Sequence, residues 1–181
     1  MSARERIAAA DLALLLAVQR SIRTETAVTV ATGLSHAGEH AAAWIGVGTL
    51  GAVFDPRRRR DWVVASTAVV AAHGASVVLK RVARRQRPMD PEVSVRVATP
   101  SRWSMPSSHA TSTTAAALVF APLLGLPTVP VVVGLGAAMA GSRLVLGVHY
   151  PSDVALGAVL GAATQAGVRR VAAQLSVRGT A

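Results

Sequence analysis

Apolar runs separated by short charged stretches dominate the sequence from residue 38 onward. Five of these runs carry almost no charge inside and approach the ~20 residues that a helix needs to cross a bilayer. Small residues are frequent in them, and aromatic residues make up only 3% of the chain, as in closely packed membrane helices. The predicted fold class is therefore all-α, an integral membrane helical bundle. We predict about five transmembrane helices, at residues 38–54, 62–79, 109–126, 129–142 and 154–168.

Residues 1–35 have a different pattern. Their apolar run, Leu12–Val18, is too short to span a bilayer, and Asp11 precedes it. We predict an amphipathic helix that lies at the membrane interface ahead of the first span. The alternative is a sixth span over residues 7–34. Three charges near the centre of that segment disfavour it, namely Arg20, Arg23 and Glu25.

Length and composition indicate a single domain over residues 1–181. The chain contains no cysteine, which excludes disulfides and thiolate chemistry. Gly157 and Gly161 lie four residues apart in the last apolar run. This spacing puts both glycines on one helix face and favours close contact with a neighbouring helix.

The charge of the chain is strongly positive, with 19 Lys and Arg against 9 Asp and Glu and a formal net charge of +10. Basic chains can bind nucleic acid, but here the basic residues are clustered between apolar runs, which suits anionic lipid headgroups. We therefore predict membrane lipids and not nucleic acid as partners. The sequence leaves the oligomeric state open.

Five spans would place the polar segments alternately on the two sides of the membrane. The Arg57–Arg60 loop, the turn at 126–129 and the tail then share one side, and the segments 80–108 and 147–152 share the other. Lys and Arg are equally numerous on the two sides, so the positive-inside rule alone does not decide the orientation. The compact Arg57–Arg60 loop is the stronger cytoplasmic signal. We predict a multi-pass plasma-membrane protein with the second side extracytoplasmic.

The stretch from Gly141 to Asp153 carries three residues suited to phosphate chemistry. Arg143 offers a fork of donors that matches phosphate oxygens. His149 can act as a nucleophile or as an acid and base. Asp153 follows it by four residues, with a proline between them that suits the start of a helix. From the first turn of that helix, a carboxylate can reach back to one imidazole nitrogen.

Two earlier stretches complete a pattern. Lys80 and Arg87 are separated by six residues and followed by Pro88, and Ser107, Ser108 and His109 begin an apolar run. With the third stretch, these resemble the signature of the type 2 phosphatidic acid phosphatase (PAP2) superfamily: K-x6-R-P, then P-S-G-H, then S-R-x5-H-x3-D. Ser108 stands where that family usually has glycine. The three stretches occur in the family's order and lie between residues 80 and 153.

The resemblance implies a metal-independent phosphatase without a cofactor. In such an enzyme His149 attacks phosphorus and forms a phosphohistidine, Asp153 holds and polarises that imidazole, and His109 protonates the leaving oxygen and then activates water. The residue types add a cradle for the phosphate. It consists of three cations and the N-terminus of a helix, at Lys80, Arg87, Arg143, Ser107 and Ser108.

Other polar residues near these stretches are expected to have less direct roles. We interpret His73 as a packing or hydrogen-bonded residue and not a catalyst, and Tyr150 as packing. Trp103 is expected to be an interfacial anchor or a platform for substrate. The remaining basic residues of the first stretch are expected to contact the surface or lipid headgroups, namely Arg81, Arg84 and Arg85.

None of the motifs indicates which lipid tail the protein binds, so several substrates remain open. Candidates are phosphatidic acid, phosphatidylglycerophosphate, an isoprenyl diphosphate and a prenyl phosphosugar such as decaprenylphosphoryl-5-phosphoribose. The small single domain and the bias of a high-GC genome resemble actinobacterial members that act on the last of these in cell-wall synthesis, so we favour it. Vanadate-dependent haloperoxidases share the motifs, but they are soluble and much longer. A non-enzymatic membrane protein is disfavoured because every expected catalytic position is filled.

Overall fold

Helices make up the regular structure in the part of the chain that the structure describes. This computed structural model describes residues 2–22 and 24–178. Within those ranges the only β pairing is an isolated bridge between Gln86 and Trp103, which confirms the all-α class. Arg23, one of the charges weighed against a sixth span, lies outside them. The α-helices are α1 Ala3–Ser21, α2 Glu25–Gly38, α3 Ala42–Phe54, α4 Arg59–Ala83, α5 Ser108–Leu123, α6 Thr128–Val145 and α7 Pro151–Arg178, with single 3₁₀ turns at Glu39–Ala41 and Pro56–Arg58.

Two helical segments of the described ranges are long and apolar enough to cross a membrane. They are Pro56–Ala83, which includes α4, and Thr128–Val145, which is α6. With 13 residues, α3 is about 20 Å long, less than the ~30 Å of a typical hydrocarbon core. The predicted number of five spans therefore stays a prediction.

The predicted close contact of the last helix is confirmed at both glycines. A Cβ atom added at Gly157 would lie 2.6 Å from the carbonyl oxygen of Ser107, and one at Gly161 would overlap the carbonyl oxygen of Thr111. Because α7 can approach α5 so closely, the N-terminal ends of the two helices meet. There the Ser107 N–H donates to the carbonyl of Asp153 at 2.9 Å.

The N-terminal segment forms two helices where we predicted one. The side chain of Thr24 accepts a hydrogen bond from the N–H of Ala27 at 3.2 Å and so begins α2. The helix α1 packs on the ends of other elements through its residue Gln19. This side chain donates to the carbonyl oxygens of Ser94 at 2.9 Å and Val145 at 3.2 Å, and it accepts from the Ser94 N–H at 3.0 Å.

A break at Glu39–Ala41 separates α2 from α3, so the helix that we predicted from residue 38 begins at Ala42. His40 and Ala41 both adopt left-handed backbone conformations, with φ values of 51° and 59°. Non-glycine residues rarely do so, and each costs about 1–3 kcal/mol. Gly38 lies against His109, since an added Cβ would be 2.7 Å from the Cδ2 atom of that imidazole. The break therefore lies beside a predicted catalytic residue.

Candidate active site

Four helix ends and one loop meet at one end of the bundle and enclose a cavity of about 830 Å³. The C-terminal ends of α2, α4 and α6 contribute Ser35, Lys80 and Arg143, and the N-terminal end of α5 contributes Ser108 and His109. Arg87 comes from the loop between α4 and α5. The three motifs thus converge on one face of the molecule, as the span count predicted.

Lys80 and Arg87 are held by backbone carbonyls. The Lys80 ammonium donates to the carbonyl oxygens of Ser104 at 3.0 Å and Trp103 at 3.3 Å. Arg87 donates from Nε to the carbonyl of Ser101 at 2.8 Å and from Nη1 to that of Val148 at 2.6 Å. Burial lowers the pKa of Arg87 to about 10, so the guanidinium remains charged at neutral pH. Among the described residues, neither cation has a carboxylate within ion-pair distance, so both are fixed in place by neutral groups.

Arg143 has a side-chain nitrogen that donates no hydrogen bond within the described residues. The side chain is 2% exposed and lines the cavity, and its Nε donates to the Ser142 hydroxyl at 3.1 Å. Its Nη2 is buried and has no hydrogen-bond partner among the described residues. A buried guanidinium nitrogen without a partner is costly, and an anion in the cavity would satisfy it. This is the clearest mark of an anion site in the molecule.

His149 lies behind Arg87 and does not line the cavity. Its Nε2 is 3.3 Å from the Nη1 of Arg87, which can only donate, so Nε2 carries no proton and Nδ1 does. Nδ1 lies 3.5 Å from Oδ2 of Asp153, a loose contact of a kind that often tightens when substrate binds. Burial lowers the pKa of His149 to about 3, against the opposing effect of Asp153, so the imidazole is neutral at pH 7.

His109 is oriented by a backbone carbonyl. Its Nε2 lies 3.0 Å from the carbonyl oxygen of Ser35, and because a carbonyl only accepts, Nε2 is the protonated nitrogen. Ser35 is in the last turn of α2, where carbonyls have no partner within the helix and carry the negative end of the helix dipole. Nδ1 remains as the nitrogen that can exchange a proton with a substrate.

The two serines before His109 have different positions. Ser107 is fully buried and does not line the cavity, because its hydroxyl caps α5 by accepting from the Ala110 N–H at 3.4 Å. Ser108 lines the cavity, and its hydroxyl lies 2.8 Å from that of Ser76. Ser108 is the first residue of α5 and has no positive φ, so a serine fits where the family usually has glycine.

One basic residue of the first stretch is not where we expected it. Arg85 was expected at the surface or on lipid headgroups, and this is wrong. Its Nη1 lies 3.0 Å from Oδ1 of Asp153 and its Nη2 lies 2.7 Å from Oδ2 of Asp11. Composition gives Arg85 the same character as its exposed neighbours, so nothing around Arg85 in the sequence indicates this pairing. Asp11 could have been noticed, since it is a lone carboxylate before an apolar run.

The remaining aromatic and histidine residues also bear on the cavity. His73 lines it, and its buried Nδ1 has no hydrogen-bond partner among the described residues, so of the two predicted roles only packing remains for that nitrogen. The His73 ring lies 6.3 Å from that of His40 across the cavity wall. Trp103 lines the cavity beneath Arg102, whose guanidinium carbon is 4.5 Å from its ring. Tyr150 packs under Arg85 at 4.2 Å.

The described residues contain no group of three or more His, Cys, Asp or Glu that could hold a metal ion. The positive charge at the site comes from side chains. Lys80, Arg87 and Arg143 surround one region, and the first N–H groups of α5 point toward the same end of the bundle. Such a set can neutralise a phosphate dianion.

Known proteins resemble the chain in sequence. It is 50% identical over 159 residues to the decaprenylphosphoryl-5-phosphoribose phosphatase of Mycobacterium tuberculosis (strain ATCC 25618 / H37Rv), a match that covers 87% of this chain and 88% of that protein. It is 49% identical over 146 residues to the protein of the same name from Mycolicibacterium smegmatis, which covers 80% of this chain and 79% of that protein. Both relatives are named phosphatases, which confirms the predicted enzyme class, a phosphoric monoester hydrolase.

Solved structures share the fold. A transmembrane PAP2-type phosphatidylglycerolphosphate phosphatase from Bacillus subtilis matches 93% of this chain and 87% of its own, with a TM-score of 0.72 and 24% identity. LpxE from Aquifex aeolicus matches 88% of this chain and 94% of its own, with a TM-score of 0.67 and 19% identity. These likenesses show that the chain shares the fold of the two proteins. The sequence profile of the PAP2 superfamily matches residues 61–175, and the chain therefore belongs to that family.

Proposed function

We propose that the chain removes the terminal phosphate of a prenyl-linked phosphosugar, decaprenylphosphoryl-5-phosphoribose, through a phosphohistidine intermediate. The observation that carries this proposal is the unused Nη2 of Arg143 in a cavity that Lys80, Arg87 and His109 also line. A phosphomonoester would seat its oxygens among these groups. Phosphoryl transfer depends mostly on positioning and charge stabilisation, which three fixed cations and a helix N-terminus supply without a metal.

The reaction has two steps. In the first, the lone pair of His149 Nε2 forms a bond to phosphorus, the bond from phosphorus to the sugar oxygen breaks, and that oxygen takes the Nδ1 proton from the imidazolium form of His109, which becomes neutral. In the second, His109 takes a proton from water, the water oxygen bonds to phosphorus, and the bond from phosphorus to Nε2 breaks. The products are the sugar alcohol and inorganic phosphate. Asp153 faces Nδ1 and stabilises the positive charge that the imidazole develops.

Arg87 has a further part in the first step. Its Nη1 donates to the lone pair of His149 Nε2, which is the pair that must reach phosphorus. A bound phosphate would offer anionic oxygens to the same donor. Because a phosphate oxygen carries negative charge and the imidazole nitrogen is neutral, the guanidinium is attracted more strongly to the phosphate, and Nη1 should transfer its bond from the imidazole to the phosphate. The nucleophile is then exposed only when a phosphate is seated.

The rest of the cavity favours a substrate with a polar group beyond the phosphate. The wall at the helix break presents His36, Glu39 and His40, which suit sugar hydroxyls better than acyl chains. Arg81 and Arg102 line the cavity as well and are exposed. The substrate named for the two relatives carries a second phosphoryl group between sugar and prenyl chain, and these two cations suit it.

The test is a substrate panel with purified enzyme in detergent. Decaprenylphosphoryl-5-phosphoribose, phosphatidylglycerophosphate, phosphatidic acid and an isoprenyl diphosphate are compared by phosphate release, with His149→Ala as the blank. We expect the highest kcat/KM on the phosphosugar lipid, inhibition by vanadate and full activity in EDTA. A preference for one of the other lipids would replace the proposed substrate, and activity that EDTA removes and magnesium restores would overturn the metal-free mechanism.

We also propose that the protein resides in the plasma membrane with the cavity on the outer face, because the Arg57–Arg60 loop lies at the opposite end of α4 from Lys80. The chain has no cysteine, so single cysteines report topology without background. Val95 is 57% exposed in the loop at the cavity end, and Arg57 is exposed at the other. Val95→Cys should react with an impermeant maleimide in intact cells and Arg57→Cys should not. The reverse pattern would place the site in the cytoplasm.

A further inference from the structure

A buried carboxylate from the N-terminal helix reaches the active site. Asp11 is 5% exposed and lies on the same face of α1 as the buried residues Leu15 and Gln19. A buried charge is costly unless it is paired and hydrogen-bonded. The position of Asp11 on this face therefore calls for an explanation in terms of its partners.

The partners of Asp11 lead to the start of α7. Its Oδ1 accepts from the Ser152 N–H at 2.9 Å, and its Oδ2 accepts from the Ser152 hydroxyl and from Nη2 of Arg85 at 2.7 Å. The other side of the Arg85 guanidinium, Nη1, donates to the Ser152 hydroxyl at 2.6 Å and to Oδ1 of Asp153 at 3.0 Å. Arg85 is thus shared between two carboxylates, one from α1 and one from α7.

The two oxygens of Asp153 have separate tasks. Oδ1 is held by Arg85, while Oδ2 accepts from the Tyr150 N–H at 2.9 Å and faces Nδ1 of His149 at 3.5 Å. Arg85 therefore fixes the rotation of the carboxylate whose other oxygen meets the nucleophile. Arg85 also neutralises part of the negative charge of Asp153 and so weakens its interaction with the imidazole. Asp11 in turn neutralises part of the positive charge on Arg85.

We propose that Asp11 and Arg85 are positioning residues for the phosphatase reaction, which act through Asp153 to set the orientation and basicity of His149. The inference rests on the proposed role of His149 as nucleophile. The competing explanation is that this network only docks α1 on the bundle. Docking and positioning differ in one respect: the two charges act on His149 with opposite signs, whereas loss of docking would have the same effect for both.

The direction of each effect on the basicity of His149 follows from the alternating charges of Asp11, Arg85 and Asp153. Removing the cation with Arg85→Gln leaves Asp153 with more charge to share, so the imidazole becomes more basic. Removing the anion with Asp11→Asn leaves Arg85 less neutralised, so the imidazole becomes less basic. The other charged groups that face His149 are Arg87 from the loop and Lys80 from α4, and both variants leave them unchanged.

The experiment measures kcat and KM on an activated aryl phosphate from pH 4 to 8, which avoids any dependence on the lipid substrate. Both variants should lose about 10- to 100-fold in kcat at pH 7 with little change in KM, as is typical when a supporting shell is removed. After correction for ionisation of the substrate phosphate, Arg85→Gln should acquire an acid limb between pH 4 and 6, where the wild type and Asp11→Asn have none. Arg85→Lys, which keeps the charge, should lack this limb.

Arg20→Gln is the matched control for docking, because Arg20 also joins α1 to the loop through an exposed ion pair with Glu92. It should retain wild-type kcat and pH profile. Wild-type pH profiles for both Asp11→Asn and Arg85→Gln, with or without lower activity, would overturn the positioning role. If Asp11→Asn does not fold, the comparison of the pH profiles of Arg85→Gln and Arg85→Lys decides between positioning and docking. Activity retained by His149→Ala would instead refute the proposed function.

Discussion

Nη1 of Arg87 lies 3.3 Å from Nε2 of His149, so a cation expected to bind phosphate also covers the nitrogen expected to attack it. The same guanidinium is anchored on the carbonyls of Ser101 and Val148. One side chain therefore ties the loop after α4 to the loop before α7 and sets the tautomer of the imidazole. Its geometry depends on the planar fork of arginine, and not only on its charge.

Arg87→Lys should consequently lower kcat/KM by about 10²- to 10³-fold, which is the usual loss when one fixed donor at a developing charge is removed. A lysine keeps the charge, but a single ammonium cannot reproduce the three contacts. Phosphate release measures the effect, with Arg84→Lys as control, because Arg84 is exposed and donates only to the nearby carbonyl of Arg81. Equal activity of the two variants would mean that charge alone suffices at Arg87.

The two histidines should respond differently to the leaving group. His149→Ala should be inactive on every substrate, because no covalent route remains. His109→Ala should lose about 10²- to 10⁴-fold on an alkyl phosphate, yet much less on an activated aryl phosphate, whose oxygen leaves without a proton. Rapid acid or base quench with labelled phosphate measures both. Base-stable, acid-labile label on His149→Ala protein, or equal losses of His109→Ala on both substrates, would contradict the assignment.

The nucleophile should remain available in mild acid. Burial lowers the pKa of His149 to about 3, so the unprotonated imidazole persists as the pH falls from 7 to 5. An imidazole with the ordinary pKa of about 6.5 would lose roughly 30-fold of its neutral form at pH 5. We expect phosphoenzyme formation, corrected for ionisation of the substrate phosphate, to change less than about 3-fold over this range. A steep acid limb near pH 6.5 would show that His149 titrates normally.

Gly161→Ala should separate α7 from α5. The added methyl group would overlap the carbonyl of Thr111, and overpacking of this kind costs about 1–3 kcal/mol. Gly167→Ala in the same helix is the control, since nothing lies within 4 Å of its added Cβ. The melting temperature in detergent should fall for Gly161→Ala and stay equal or rise for Gly167→Ala, because alanine favours helix. A lower melting temperature for both variants would mean that alanine destabilises α7 at either position, whether or not the glycine contacts α5.

The sequence predicted well what depends on residue type and spacing. The helical class, the contact at Gly157 and Gly161, and the convergence of the three motifs all follow from periodicity and span counting. It failed where the backbone departs from local preference. The break at His40 and Ala41 uses left-handed conformations that non-glycine residues rarely adopt.

Contacts between residues that are far apart in the sequence could not be predicted either. Arg85 and Asp11 are 74 residues apart, and only the docking of α1 brings them together. The same holds for Gln19, whose amide meets Ser94 at a separation of 75 residues. Local composition treats Arg85 as one more member of a basic cluster. A charge or an amide in line with the apolar residues of a helix face is the signal that could have pointed to these contacts.

The stretch that the family profile matches, residues 61–175, contains every motif residue, yet some of their supports precede it. The carbonyl that holds His109 belongs to Ser35, and the carboxylate that completes the network around Arg85 belongs to Asp11. A chain trimmed to the matched stretch would keep its full signature and lose both. Two relatives with identical signatures can therefore differ in turnover through their first 40 residues, and chimeras exchanged at residue 60 would reveal that difference.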